Sequence, residues 1–219
     1  MTIEAVRKNS NRINQDKSAH NDRGFTLIEI LLAVAILGLI MIAVSSFQVN
    51  IFQFNKYSSD SLQGAEDARA ILRTMVKELR PAKSGSDGSY PIVQAATSSI
   101  TFFSDIDADG LQERVRYYLI ATILKKGIIK STGSPPSYIP SQETFITLAS
   151  NIKNATSSAL FEYFDNTYAG TSSPLSQPVN IPNVRLVKIN LLIDADPDRS
   201  PIPRLYTSEV MLRNLKDNL

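Results

Sequence analysis

Arg23-Gly24-Phe25-Thr26-Leu27-Ile28-Glu29, running on into ILLAVAILGLIMIAVSSF at residues 30–47, decides how the rest of the chain is read. From Phe25 to Phe47 there are 23 residues and one charge, Glu29. About 20 apolar residues, each rising about 1.5 Å, cross the hydrocarbon core of a bilayer. The stretch predicts a transmembrane helix. Residues 1–24 before it are polar and carry Arg7, Lys8, Arg12, Lys17 and Arg23 against Glu4, Asp16 and Asp22. A basic flank stays on the cytoplasmic side, so everything after the helix is expected outside.

Three other readings compete for the same stretch. A secretory signal peptide has a shorter apolar region, about 7–15 residues, although Ala43-Val44-Ser45 offers a small-residue cleavage site. A plain signal anchor carrying an unrelated outer domain is the second. A buried core helix is the third, and the uninterrupted apolar run counts against it.

Glu29 is the odd residue in this segment. A carboxylate in a membrane helix costs about 2.5–3.5 kcal/mol on insertion scales. Only four residues past Phe25, it either snorkels to the interface or waits for a cation from another chain.

Outward from the membrane segment the helical pattern continues. Phe47, Ile51, Phe54, Leu62, Ala65, Leu72, Val76 and Leu79 recur at spacings compatible with 3.6 residues, with charged residues between them. All eleven prolines lie at or beyond Pro81, so a helix can run unbroken to residue 80 and must stop there. Gly38, Gly64 and the pair Ser45-Ser46 are its weak points. The expected organisation is a leader at 1–24, a membrane half of the helix at 25–47, an amphipathic half at 48–80 and a head at 81–219.

In the head the period changes from 3.6 to 2. Segments 99–103, 114–119, 123–130, 144–148, 160–164, 184–193 and 205–212 read as strands, with Lys126-Gly127 as a turn or bulge. Residues 131–140 and 165–183 read as long loops. The fold class is α+β, with one antiparallel sheet covered on one face by the long helix.

Composition narrows the function. The chain has 219 residues, 23 basic and 21 acidic, a net charge of +2, and 43% hydrophobic residues. That is one domain, or two, with material for a core and no basic excess for nucleic acid. There is no cysteine and a single histidine, His20. Thiolate nucleophiles, Cys-ligated zinc and Ser-His-Asp triads are therefore set aside. Carboxylate enzymes stay open, but no convergent pair stands out.

The run Arg23 to Glu29 followed by an apolar helix resembles the processing motif of type IV pilins and type II secretion pseudopilins. The resemblance implies that a prepilin peptidase cuts between Gly24 and Phe25, and that Phe25 becomes the N-methylated terminus. It also implies that Glu29 pairs with the Phe25 amine of a neighbouring subunit during assembly. A buried carboxylate met by that amine is stabilised, and an unmet one penalises wrong registers. The implied fold is a pilin-like long helix on an antiparallel β-sheet head, in the inner membrane and then in a filament. Many type IV pilins carry a Pro late in the membrane stretch, and this chain has none. The segments Ala68–Leu72, Glu78–Ala82 and Glu113–Leu119 are similar to those of minor subunits, in particular the J-type pseudopilin. The implied role is structural, with no reaction of its own. The implied partners are the peptidase, other subunits and the membrane.

Asp105-Ile106-Asp107-Ala108-Asp109-Gly110 is a second candidate site. Three carboxylates at alternate positions with Gly at the sixth form the opening of a calcium loop. The twelfth position is Arg116 rather than Glu, so this is no full EF-hand, and Glu113 at the ninth position is a candidate fourth ligand for Ca2+. The competing reading is a hairpin connection in which Asp and Gly satisfy turn geometry. Asp194-Ala195-Asp196-Pro197-Asp198 and Asp165-Asn166 read as solvated turns. Tyr117, Tyr118, Phe161, Tyr163 and Phe164 alternate as sheet-packing residues. Arg114, Arg116, Lys125, Lys126 and Lys130 read as a solvated strand face, and also keep a DNA-binding or adhesion pilin as an alternative.

Overall fold

A computed structural model describes residues 24–154, 158–194 and 203–215. The leader up to residue 23 and residues 195–202, which include Asp196 and Asp198, lie outside the described residues. The chain forms two compact units, Met1–Phe52 and Gln53–Leu219.

One helix, α1, covers Leu27–Leu79. It passes through Gly38, Ser45-Ser46 and Gly64 without a break. The two serines do not interrupt it because their hydroxyls donate to the carbonyls one turn back, Met41 at 2.8 Å and Ile42 at 3.0 Å. Pro81 ends it. The carbonyls left at that end find donors from the far end of the chain. The Arg213 amide donates to Arg80 at 3.0 Å, and the Asn214 side-chain amide donates to Pro81 at 3.0 Å and Ala82 at 3.1 Å.

In the first unit every described residue is exposed. The second unit holds the sheets. Strands β1 (Ile92–Ala95), β2 (Ser99–Ser104), β3 (Glu113–Ile120), β4 (Ile123–Ile129) and β5 (Thr144–Ala149) form an antiparallel sheet in sequential order. Strands β6 (Phe161–Phe164), β7 (Leu186–Ile193) and β8 (Arg204–Met211) form a separate antiparallel sheet. This corrects the expectation of a single sheet. Period-2 patterning identifies strands but does not say which of them pair. After β5 the chain leaves the first sheet at Asn151, whose φ is 60°, and bridges from Ile152 to Ile193 of β7. Strand β1, four residues behind Pro91, was too short to stand out in the sequence.

One core joins these layers. Helix α1 contributes Ala68, Leu72, Met75 and Leu79. The first sheet contributes Ile92, Ile100, Phe102, Val115, Tyr117 and Leu124, and the second contributes Phe161, Tyr163, Val187, Ile189, Leu191 and Val210. The buried helix stripe is therefore narrower and later than the sequence suggested, since Phe54 and Leu62 are 69% and 67% exposed. The phenol of Tyr163 ties the sheets together, lying 2.9 Å from the Ala96 carbonyl and 3.1 Å from that of Ser99.

Lys126 and Gly127 are not a turn. They pair in register with Tyr117 and Arg116, and the β4–β5 irregularity falls at Leu124/Lys125 instead. An added Cβ at 127 would collide with the Glu143 carboxylate, so a side chain there requires Glu143 to move. That carboxylate receives both arms of Arg116, at 2.9 and 2.8 Å.

Candidate functional site

The N-terminal end of α1 is built from Gly24, Phe25, Thr26 and Glu29. Thr26 is the cap. Its hydroxyl oxygen accepts from the Glu29 amide at 3.3 Å, and the Glu29 carboxylate accepts from the Thr26 amide at 3.4 Å. This reciprocal pair is a capping box, and it places an anion at the positive end of the helix dipole. The signal for it is local in the sequence, Thr-x-x-Glu before an apolar run. An added Cβ on Gly24 would meet nothing within 4 Å, and Phe25 is 77% exposed. Among the described residues, both sides of the peptide bond joining them are exposed.

Behind this cap the apolar face has no cover among the described residues. Leu27, Ile28, Leu31, Leu32, Val34, Leu39 and Ile42 are all more than half exposed. The helix is long and apolar enough to cross a membrane by length and composition. So much apolar surface needs lipid or neighbouring helices around it.

Residues 19–45 match the family model for the prokaryotic N-terminal methylation motif. The chain carries that methylation motif. No curated protein matches the sequence. Together with a long apolar helix and an α+β head, the motif supports a type IV pilin-like or pseudopilin-like protein. The motif implies processing by prepilin peptidase and assembly with other pilin subunits, and with the apolar helix it fits a membrane-anchored chain.

The acidic loop of this pilin-like head connects β2 to β3. The carboxylates of Asp105, Asp107 and Asp109 each offer an oxygen, and these oxygens lie within 4.8 Å of one another. Backbone amides orient them. Asp105 accepts from Gly110 at 3.0 Å, Asp107 from Asp109 at 3.4 Å and Asp109 from Leu111 at 2.8 Å. Glu113 is 1% exposed and accepts from Ile106 at 2.9 Å, which turns its carboxylate back into the loop. Burial pushes Glu113 above the ordinary carboxylate range, and the charges of Asp107 and Asp109 push the same way. Lys130 donates to Asp107 and holds that carboxyl below its ordinary value. Ala108 and Gly110 take positive φ, 64° and 89°, to close the turn. The structure thus brings the oxygens of Asp105, Asp107 and Asp109 together, whereas Glu113, the first residue of β3, is not part of that group.

The other sequence candidates separate. Arg116 is bound to Glu143, Lys130 to Asp107 and Lys126 to Glu78. Lys126 points into the core, so the basic run is not one surface. Asp194 faces Lys153 at 3.7 Å, and Asp165 accepts from the Thr167 amide and hydroxyl. Tyr117, Phe161, Tyr163 and Phe164 are buried packing residues, and Tyr118 stacks edge-on with Phe145.

Proposed function

We propose that this chain is a structural minor subunit of a type IV pilus or type II secretion pseudopilus. The observation that carries this reading is the capped, uncovered apolar helix that begins directly behind an exposed Gly24–Phe25 bond. A prepilin peptidase removes residues 1–24. The new Phe25 amine is methylated and supplies the cation that Glu29 lacks. The helix then moves from lipid into a bundle of neighbouring helices, which cover the same apolar surface. In this reading the head stays outside the membrane, selects the next subunit to dock and performs no reaction of its own.

Mass spectrometry of the membrane-extracted protein, made with and without prepilin peptidase, tests this. The expected product begins at Phe25 and carries one additional methyl group. An uncut chain beginning at Met1 makes the protein an ordinary signal-anchored one. A terminus just after Ser45 makes it a secreted head and removes the filament.

A further inference from the structure

We propose that the β2–β3 loop is a calcium site, with Asp105, Asp107 and Asp109 as its side-chain ligands. Two observations support it. The first is spacing. Oxygens bound to one calcium at about 2.3–2.6 Å can be no more than about 5 Å apart, and the three aspartate oxygens lie within 4.8 Å of one another.

The second observation adds two residues from outside the carboxylate cluster, Ser104 and Gln112. Among the described residues, the buried side-chain polar atoms without a hydrogen-bond partner are Ser104 Oγ, Asp105 Oδ1 and Gln112 Oε1. All three sit at the base of this one loop, where β2 ends and β3 begins. Ser104 and Gln112 are 0% and 3% exposed. The Gln112 side-chain nitrogen donates to the Gly110 carbonyl at 3.5 Å, which places this side chain beside the loop. Buried polar atoms are rarely left without partners, and each exception calls for an explanation. These unpartnered oxygens sit at the base of a loop that gathers three carboxylates, and a cation is a partner that suits both. A hard divalent ion supplies that charge, and oxygen-only ligands select calcium over softer metals.

Lys130 is the only cation paired with the loop among the described residues, and its side chain is 63% exposed. In the metal-free loop it partly neutralises Asp107. Calcium would displace it and leave its ammonium in water. The loop is wired to two others. The Gln112 amide donates to Ser86 Oγ at 3.0 Å, and its carbonyl accepts from Tyr138 at 2.6 Å. Calcium would therefore stiffen the segment that follows α1 and the loop before β5, as well as its own hairpin.

The test is calorimetric titration of calcium chloride into the full-length, detergent-solubilised protein after chelator treatment. One saturable site per chain is expected. With Arg116 in place of the bidentate twelfth-position ligand, affinity should fall in the weaker extracellular range, a Kd of about 10−4–10−3 M. Asp105→Asn with Asp109→Asn should weaken binding by about tenfold or more, with circular dichroism showing that the head still folds. Lys130→Met should tighten binding by removing the competing cation, and Asp165→Asn should leave it unchanged. Absence of a saturable site overturns the proposal. So does binding that ignores both the aspartate and the Lys130 substitutions. Cleavage at Gly24 is unaffected by any of these variants, so this proposal and the filament reading fail separately.

Discussion

Lys126 of β4 donates to Glu78 of α1 at 2.6 Å, and the Tyr117 hydroxyl donates to the other oxygen of the same carboxylate, also at 2.6 Å. The two charged side chains are only 8% and 12% exposed. A helix residue near the end of α1 is thereby fixed to two adjacent strands, at the registered pair Tyr117↔Lys126. Hydrophobic contacts alone would tolerate a slide of the helix along the sheet. A buried carboxylate with two directed donors does not, because a slide leaves a charge unpaired in the core.

Removing one partner of this pair should cost much more than removing both. Lys126→Met or Glu78→Gln alone is expected to lower head stability by about 3–5 kcal/mol, because it disrupts a buried charge pair. The double variant should recover most of that loss. Urea unfolding of the four proteins of the cycle measures it, and additive losses would show that the pair is not coupled.

Gly127→Ala should be destabilising although alanine suits a strand no worse than glycine. The new methyl enters the space held by the Glu143 carboxylate, and overpacking of this kind costs about 1–3 kcal/mol. Gly127→Ala with Glu143→Ala should be close to Glu143→Ala alone. If Gly127→Ala costs the same with and without Glu143, the steric account of this glycine is wrong.

Tyr117 and Tyr163 should resist ionisation. Burial raises both phenols well above their ordinary value, and for Tyr117 the Glu78 charge adds to it. The folded state therefore holds these protons more tightly than the unfolded chain does. Their contribution to stability is fully present below the unfolded phenol value of about 10 and is lost as pH rises above it. An ultraviolet phenolate titration should show a late fraction that appears together with loss of near-ultraviolet circular dichroism. Complete, reversible ionisation of all eight tyrosines while the head stays folded would contradict this.

Asn214→Leu should loosen the end of α1. Its amide serves the carbonyls of Pro81 and Ala82, and each lost hydrogen bond is worth about 1 kcal/mol. A drop of about 1–2 kcal/mol in chemical unfolding is expected. No change would mean that solvent serves those carbonyls equally well.

Glu29 carries two roles that substitution can separate. Glu29→Gln keeps an acceptor for the Thr26 amide and so keeps the capping box, but removes the charge. Glu29→Ala removes both. In the filament reading both variants are still cut at Gly24, and both lose cross-linking to neighbouring subunits. If Glu29→Gln cross-links as the parent does, the cap matters for assembly and the charge does not.

Much of the helix is legible in the sequence. An apolar run with one charge, a proline-free first third and Pro81 specify a helix and its end through local chemistry alone. The strands from β2 to β8 were legible for the same reason, since alternation is a local property. The Asp-x-Asp-x-Asp-Gly spacing marked the loop, and Thr26-x-x-Glu29 was present as a capping signal. Strand β1 was not legible, because four residues behind a proline carry too little pattern.

What the sequence by itself determined is therefore the long apolar segment, the Gly24–Phe25 junction with its methylation motif, and the set of candidate ligands. Each depends on residues adjacent along the chain. Only the tertiary structure decided that the head has two sheets rather than one, that Lys126 turns inward to Glu78, and that Gly127 makes room for Glu143. It also gathered the unpartnered atoms of Ser104, Asp105 and Gln112 at the base of one loop. These depend on pairing between distant segments, where one residue of register reverses a side chain's face, and no local period encodes that choice.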